Sequence, residues 1–355
     1  MIPAGSARYT LVQTLLLGSL AWCSGARHSG TQAHAGTSVP ALPSNTTKRP
    51  LIGILSQPGK PAPGNQSYIA ASYIKFVEAA GARAVPILCD ASPKELERIF
   101  KAVNGLLIPG GGQNLSPGHP FYDASAALLK MTLAANDAGD FIPLHGTCLG
   151  FEALAIIVSR DANILSSFDS YDNASPLILT EDGQSGSAFF GSLPGDLLQA
   201  VQEKPLAMEN HGRGLGMKEY NGSKALQDFF KVVSLSVDKG DVTYISTLEG
   251  RRYPVTATQW HPEKNAFEWP QHLDVPHSPQ AVDLTYAVAK FLVEQARGNA
   301  HAPASPQEEN GLLIYNYQTT FTGKENPSKP KSESDFDECY FFEPYSDTIG
   351  IVQSA

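Results

Sequence analysis

The sequence is poor in what many specialised folds depend on. Four of its 355 residues are cysteine, too few for a disulfide-stapled scaffold. It holds no zinc ribbon, EF-hand loop, Walker A loop or H-E-x-x-H stretch, so the usual signatures of a metal site or a phosphate cradle are missing. Basic residues are outnumbered, with 26 Lys and Arg against 35 Asp and Glu and a net charge of −9. That balance argues against the basic face of a nucleic-acid binder. The longest apolar run falls short of the ~20 residues needed to span a bilayer. What is present is a hydrophobic share of 42%, enough to bury a core and incompatible with disorder throughout.

The two ends read differently from the middle. Arg8 gives a weakly positive start, Leu11 to Trp22 is apolar, and small residues follow in Ser24-Gly25-Ala26. Segment 1–26 is therefore expected to be a secretory signal rather than a membrane anchor. Residues 27–48, rich in Ser, Thr, Ala and Pro, read as a linker or propeptide. Residues 298–355 read as a polar extension. Its apolar islands, Ile314 to Tyr317 and Cys339 to Phe342, are expected to pack back onto the domain. Residues 49–297, roughly 250, suit one catalytic α/β domain. Sequons at Asn45, Asn65, Asn114, Asn173 and Asn221 favour a glycosylated protein of the secretory pathway, in a lysosome or vacuole lumen or outside the cell. Once the signal is removed, Cys89, Cys148 and Cys339 remain. An odd number in an oxidising compartment leaves at least one thiol free or intermolecular.

Within the core, short apolar runs alternate with helical spacing. Leu51 to Leu55, Ala84 to Leu88, Gly105 to Ile108 and Phe141 to Leu144 read as strands. Pro86 marks its strand as an edge or a strand start. Ala70 to Gly81, a helix opened by Ser92-Pro93, Phe121 to Ala138 and Phe151 to Ser159 read as the helices between and after them. This alternation predicts an α/β fold with a mostly parallel central sheet and helices on both faces. The second half turns β-rich, with runs at Lys231 to Val237, Asp241 to Thr247 and Pro254 to Trp260. Hairpin turns are expected at Lys239-Gly240 and Glu249-Gly250, and Ala281 to Arg297 reads as the last helix.

Chemistry in such a sheet sits beyond the carboxyl ends of its strands. Gly146-Thr147-Cys148-Leu149-Gly150 falls there, between a strand and a helix, as a thiol version of the nucleophile elbow. The helix N-terminus is expected to favour the thiolate. A cysteine alone would more often be a buried structural residue; the elbow context reverses that. A thiol nucleophile needs an imidazole and a group to orient it. In His261-Pro262-Glu263 an extended backbone puts both side chains on one side, although H-P-E by itself also reads as a polar turn. The Leu149 amide and the Gly110-Gly111-Gly112 turn are candidate oxyanion donors, with Leu149, Gly111 and Gly112 forming the proposed hole. Arg213 and Lys264 are candidate partners for substrate carboxylates, as exposed basic residues otherwise simply solvated.

These residues carry a resemblance. G-T-C-L-G-F-E around Cys148, Q-W-H-P-E-K around His261 and the I-P-G-G-G before them resemble the class I glutamine amidotransferase-like family. R-P-L-I-G-I-L, Y-I-A-A-S-Y-I-K, N-G-L-L-I-P-G-G, I-S-T-L-E-G and Y-P-V-x-A-T-Q-W-H-P-E-K resemble its γ-glutamyl hydrolase branch, over roughly Arg49 to Arg297. The resemblance implies a flavodoxin-like fold. It also implies a Cys148 nucleophile, His261 as base then acid, Glu263 as its orienter, and His211 in Asn210-His211-Gly212 as a second active-site histidine. The residues alone place His211 in a glycine-flanked turn. His145 stands where the family often has Trp, a departure that bears on pocket polarity. The implied reaction is thiol hydrolysis of γ-glutamyl amides in folate or antifolate poly-γ-glutamates, with no cofactor, no metal, no membrane anchor and a homodimer that would fit the family. The alternatives are a glutaminase handing ammonia to a synthetase, and a secreted glycoprotein on a dead fold. The first is disfavoured by the expected export signal, the second by the intact Cys148, His261 and Glu263.

Overall fold

The computed structural model describes residues 47–324 and 334–346. The expected signal, nearly all of the linker and the Asn45 sequon lie outside the described residues. At the centre is an eight-stranded sheet in the order Arg83–Ile87, Leu51–Leu55, Gly105–Ile108, Leu144–Thr147, Val255–Thr258, Thr243–Gly250, Phe230–Val237, Ile178–Leu179. The first five strands run parallel to one another, and the remaining pairings are antiparallel. The Pro86 strand stands at the edge, where a missing ladder donor does no harm.

Alternation along each parallel strand feeds two cores. Leu51, Leu55, Leu106 and Ile108 face one core, with Ile99, Phe121, Leu128 and Phe151 from the helices Pro93–Phe100, Pro120–Asp137 and Leu149–Ser159. Ile52, Ile54 and Leu107 face the other, with Tyr73, Phe76, Val201, Leu284 and Leu292 from Ala71–Ala79, Gly195–Glu203 and Pro279–Ala296. The Ser92 side chain accepts the Glu95 N–H, with Pro93 in the first turn, as the sequence indicates.

Three local expectations are corrected. The fourth strand is Leu144–Thr147, not Phe141 to Leu144, so pairing continues up to the cysteine. Gly146 is there for close packing: a Cβ on it would lie 2.8 Å from the carbonyl carbon of Gly150. Glu249-Gly250 is no turn but the end of Thr243–Gly250. The Asn210 to Gly214 stretch is likewise strand, part of Ala207–Gly214, paired antiparallel with Ser166–Ser175 across two register shifts.

The described part of the C-terminal extension belongs to the packed body. It contains a helix, Pro306–Leu312, capped by Ser305, and a strand, Glu338–Phe342, lying against Ser67–Ala70 in a four-stranded sheet completed by Thr319–Phe321 and Gln57–Pro58. Both islands pack back: Ile314, Cys339 and Phe342 are buried.

Candidate active site

Cys148 joins the strand Leu144–Thr147 to the helix Leu149–Ser159 with φ 49° and ψ −102°, a conformation costly for a side-chain-bearing residue and common at functional turns. The turn is locked from both sides. The Cys148 N–H donates to the Thr258 carbonyl at 2.7 Å. A Cβ on Gly150 would sit 2.2 Å from the Ile108 carbonyl oxygen, so only glycine lets the helix approach that strand.

His261 follows the end of the neighbouring strand Val255–Thr258. Its backbone N–H donates to the Met208 carbonyl at 2.8 Å, and its Nδ1 meets Glu263 Oε1 at 2.7 Å. Burial pushes the Glu263 carboxyl up, but His261, by charge and hydrogen bond, and Lys264 outweigh it and hold the group below the usual range. The imidazole and the thiol flank Gly110: a methyl carbon there would lie 2.7 Å from His261 Cε1 and 3.1 Å from Cys148 Cβ. Any side chain at 110 would come between them.

The glycine turn is held by two buried side chains. The Gly110 N–H donates to the Tyr73 hydroxyl at 2.8 Å, and Gln57 Nε2 donates to the Gly110 carbonyl at 2.7 Å. Gln57 Oε1 presses on Gly111, where a Cβ would approach it to 1.7 Å. With the Gly110 amide taken, Gly111 and Gly112 remain to face the cleft, and both line it. The Leu149 N–H acts on the Cys148 sulfur as a hydrogen-bond donor.

The electrostatic expectation for the thiol is reversed. Burial raises the Cys148 thiol well above its ordinary value, and Glu152, Glu263 and Glu209 push the same way against the Leu149 amide. Burial thus favours the neutral form of the thiol over the thiolate. Cys89 and Cys339 are also free and buried, pushed up to about 11 and about 12, chiefly by burial.

The cleft around Cys148 encloses about 790 Å³ and is lined by His261, Lys264, Tyr171, Asn210, Tyr68 and, from the C-terminal extension, Thr322 and Ser334 to Phe336, among others. Lys264 is fully buried rather than solvated. Arg213 is not among the lining residues; its exposed guanidinium reaches toward Glu152 at 3.5 Å. His211 is also absent from the lining and sits, buried, on a strand. Its Nδ1 faces the Arg213 carbonyl at 2.8 Å and its Nε2 faces Glu209 at 3.1 Å. It belongs to a buried polar layer with Glu152, Glu209 and Gln259, and Glu152 and Glu209 act in turn on the thiol. His145 pairs with Thr256 at 2.9 Å and lies outside the cleft lining, so it does not set the polarity of that wall.

Sequence reasoning missed Gln57, Tyr73 and the extension's wall. Only the first two had a local signal, lying in blocks that resemble the hydrolase branch or border it. Of the sequons, Asn65, Asn114 and Asn221 are exposed, while Asn173 is half-buried in a strand with its amide donating to the Val237 carbonyl. Among the described residues no group of three or more His, Cys, Asp or Glu could hold a metal ion, and no helix is long and apolar enough to cross a membrane.

A thiol on a strand–helix elbow, beside an imidazole–carboxylate pair, on a mostly parallel sheet defines a cysteine-type hydrolase of the class I glutamine amidotransferase-like fold. Residues 50–160 match the family Peptidase C26. The chain is 38% identical to "Gamma-glutamyl hydrolase 1" of Arabidopsis thaliana, over 79% of this chain and 80% of that protein. It is 38% identical to "Gamma-glutamyl hydrolase" of Mus musculus, over 84% and 90%, and 37% identical to "Gamma-glutamyl hydrolase" of Homo sapiens, over 84% and 91%. The chain belongs to the γ-glutamyl hydrolase family.

Proposed function

We propose that the protein hydrolyses γ-glutamyl amide bonds, with folyl poly-γ-glutamates as its substrates, through an acyl-enzyme on Cys148. His261 takes the thiol proton as sulfur attacks the γ-carbonyl carbon, while Glu263 fixes the ring and balances its charge. The developing oxyanion is met by the Leu149 amide and by the Gly111–Gly112 turn. His261 then gives its proton to the leaving nitrogen, the C–N bond breaks and a thioester remains. Water, deprotonated by His261, releases the γ-carboxylate and restores the thiol. His211 acts from behind, through Glu209 and Glu152, on the charge around the sulfur.

The observation that carries this reading is the placement of His261 and Cys148 on the two sides of Gly110, with Glu263 2.7 Å from the far ring nitrogen. Cys148→Ala is expected to abolish release of glutamate from pteroyl-pentaglutamate while the protein stays folded. Activity within about tenfold of the parent, a barrier change of only ~1.4 kcal/mol, would contradict the mechanism.

The reading includes passage through the secretory pathway, supported by the exposure of Asn65, Asn114 and Asn221. Protein made in eukaryotic cells is expected to lose mass on endoglycosidase treatment. Replacing Asn173 should leave that loss unchanged, since its amide is already engaged.

A further inference from the structure

Gln57 lies just beyond the carboxyl end of the strand Leu51–Leu55, and the glycine turn follows the end of the adjacent parallel strand Gly105–Ile108. The buried side chain crosses from one strand end to the other. Its backbone is held in the four-stranded sheet, where Gln57 pairs with Tyr68. A side-chain amide has one end that donates and one that accepts. Nε2 donates to the Gly110 carbonyl at 2.7 Å. Oε1 is buried and accepts nothing, which buried polar groups seldom leave so. Facing it is the Cα of Gly111, where an added Cβ would come within 1.7 Å.

The carbonyl of Gly110 and the N–H of Gly111 belong to one peptide unit, and in a planar trans peptide they point in opposite directions. With the carbonyl turned into the protein and bonded to Gln57, the Gly111 N–H is turned the other way, toward the cleft that Gly111 lines with Cys148. Among the described residues no acceptor takes that N–H. Rotating the unit by half a turn would reverse both groups. The N–H would then meet the unpartnered Oε1, and the carbonyl oxygen would face the cleft and repel an oxyanion. Glycine on both sides makes such a rotation sterically cheap. The Tyr73 hydroxyl, which accepts the Gly110 N–H, fixes only the preceding peptide unit. Among the described residues, Gln57 alone is bonded to the unit whose orientation matters.

We propose that Gln57 is a positioning residue for the reaction: by holding the Gly110 carbonyl it aims the Gly111 N–H at the oxyanion formed when Cys148 attacks. It touches no substrate and acts only through that peptide unit. The transition state carries charge on oxygen that the bound substrate lacks, so the effect falls on kcat and little on KM. This inference rests on the acyl-enzyme reading of the site.

The test uses Gln57→Met, which keeps the length of the side chain and loses the donor. In the full-length protein it compares kcat and KM on a γ-glutamyl peptide with the rate at which iodoacetamide alkylates Cys148. Alkylation displaces iodide from a saturated carbon and forms no oxyanion, so it reports on the thiol and His261 without the hole. In Gln57→Met kcat is expected to fall at least about tenfold, toward the roughly 10²-fold of a lost oxyanion donor. KM and the alkylation rate should stay within about twofold of the parent. An unchanged kcat would overturn the proposal, and so would alkylation falling in step with kcat, the mark of a site that has only loosened. Gly111→Ala is the second variant. Its methyl points at the Gln57 amide, a flexible side-chain end that must withdraw from Gly110. The same signature is expected, and normal turnover would again overturn the proposal. Failure of the unaltered protein to cleave any γ-glutamyl peptide would instead refute the reaction, and hydrogen exchange then judges Gln57 alone. At pH 8 the Gly111 amide should exchange as an unbonded one in the parent. In Gln57→Glu, whose ionised carboxylate can only accept, it should become protected as the unit turns. Protection in the parent, or equally fast exchange in both, would overturn the positioning role.

Discussion

A histidine with oxygen acceptors at both ring nitrogens is a different object from one in an exposed turn, and His211 is the former. Its ring also meets Tyr244 edge-on, with centres 4.9 Å apart. Replacement by Asn, of shorter reach, would leave Glu209 Oε2 buried without its nitrogen partner, and leaving a buried polar group unsatisfied costs about 1–3 kcal/mol. His211→Asn is thus expected to lower stability by roughly that amount in urea unfolding, as well as slowing turnover. A variant as stable as the parent would show that the pair contributes little. The sequence could not reveal this, because Gly212 looks like turn punctuation. That glycine instead makes room for Tyr171, whose hydroxyl a Cβ at 212 would approach to 2.6 Å. The same limit explains the thiol. The helix N-terminus next to Cys148 is visible in the sequence, whereas Glu209 and Glu263 are brought beside the sulfur only by the fold.

Elements whose signal is local were legible: the buried strand Leu51–Leu55, the capped helix after Ser92 and the long helix Pro279–Ala296. The elbow at Cys148 was legible as a motif, but the strand entering it was ended three residues early, since a glycine inside a strand mimics a turn. Its glycines also differ in what they do, and stability measurements can separate them. Gly150→Ala would drive a methyl into the Ile108 carbonyl, which cannot swing aside as a side chain would. The strand Gly105–Ile108 or the helix must shift, at a cost of about 3 kcal/mol, the upper end of ordinary overpacking. Gly112→Ala meets nothing within 4 Å and should leave the melting temperature nearly unchanged. Equal melting temperatures for the two variants would mean that close approach is not what Gly150 secures.

At the scale of the whole molecule, two buried groups on different elements set opposite pH dependences. Burial lowers His145 to about 4, against a smaller opposing influence of Glu263. As pH falls through the ordinary histidine range, the unfolded chain takes up that proton first, so the stability this site contributes is present above about 6.5 and erodes toward 4. Burial raises Glu268 to about 7, with Lys264, Ser72 and the Asp337 amide opposing. Here the folded protein binds the proton first, so the contribution is present below about 4.5 and is lost as pH rises through 7. Each amounts to roughly 3 kcal/mol, and between pH 7 and 4.5 they largely offset one another. Stability should therefore vary little over the range from cytosol-like to lysosome-like acidity as far as these two sites are concerned. Removing one site exposes the other. Glu268→Gln, which can still accept the Asp337 N–H, should melt progressively lower on acidification from pH 7 to 4.5 relative to the parent. His145→Gln should do the reverse, with its deficit against the parent shrinking as pH falls. Melting curves at half-unit pH intervals would read both slopes, and parallel profiles for all three proteins would show that neither group titrates as its burial requires.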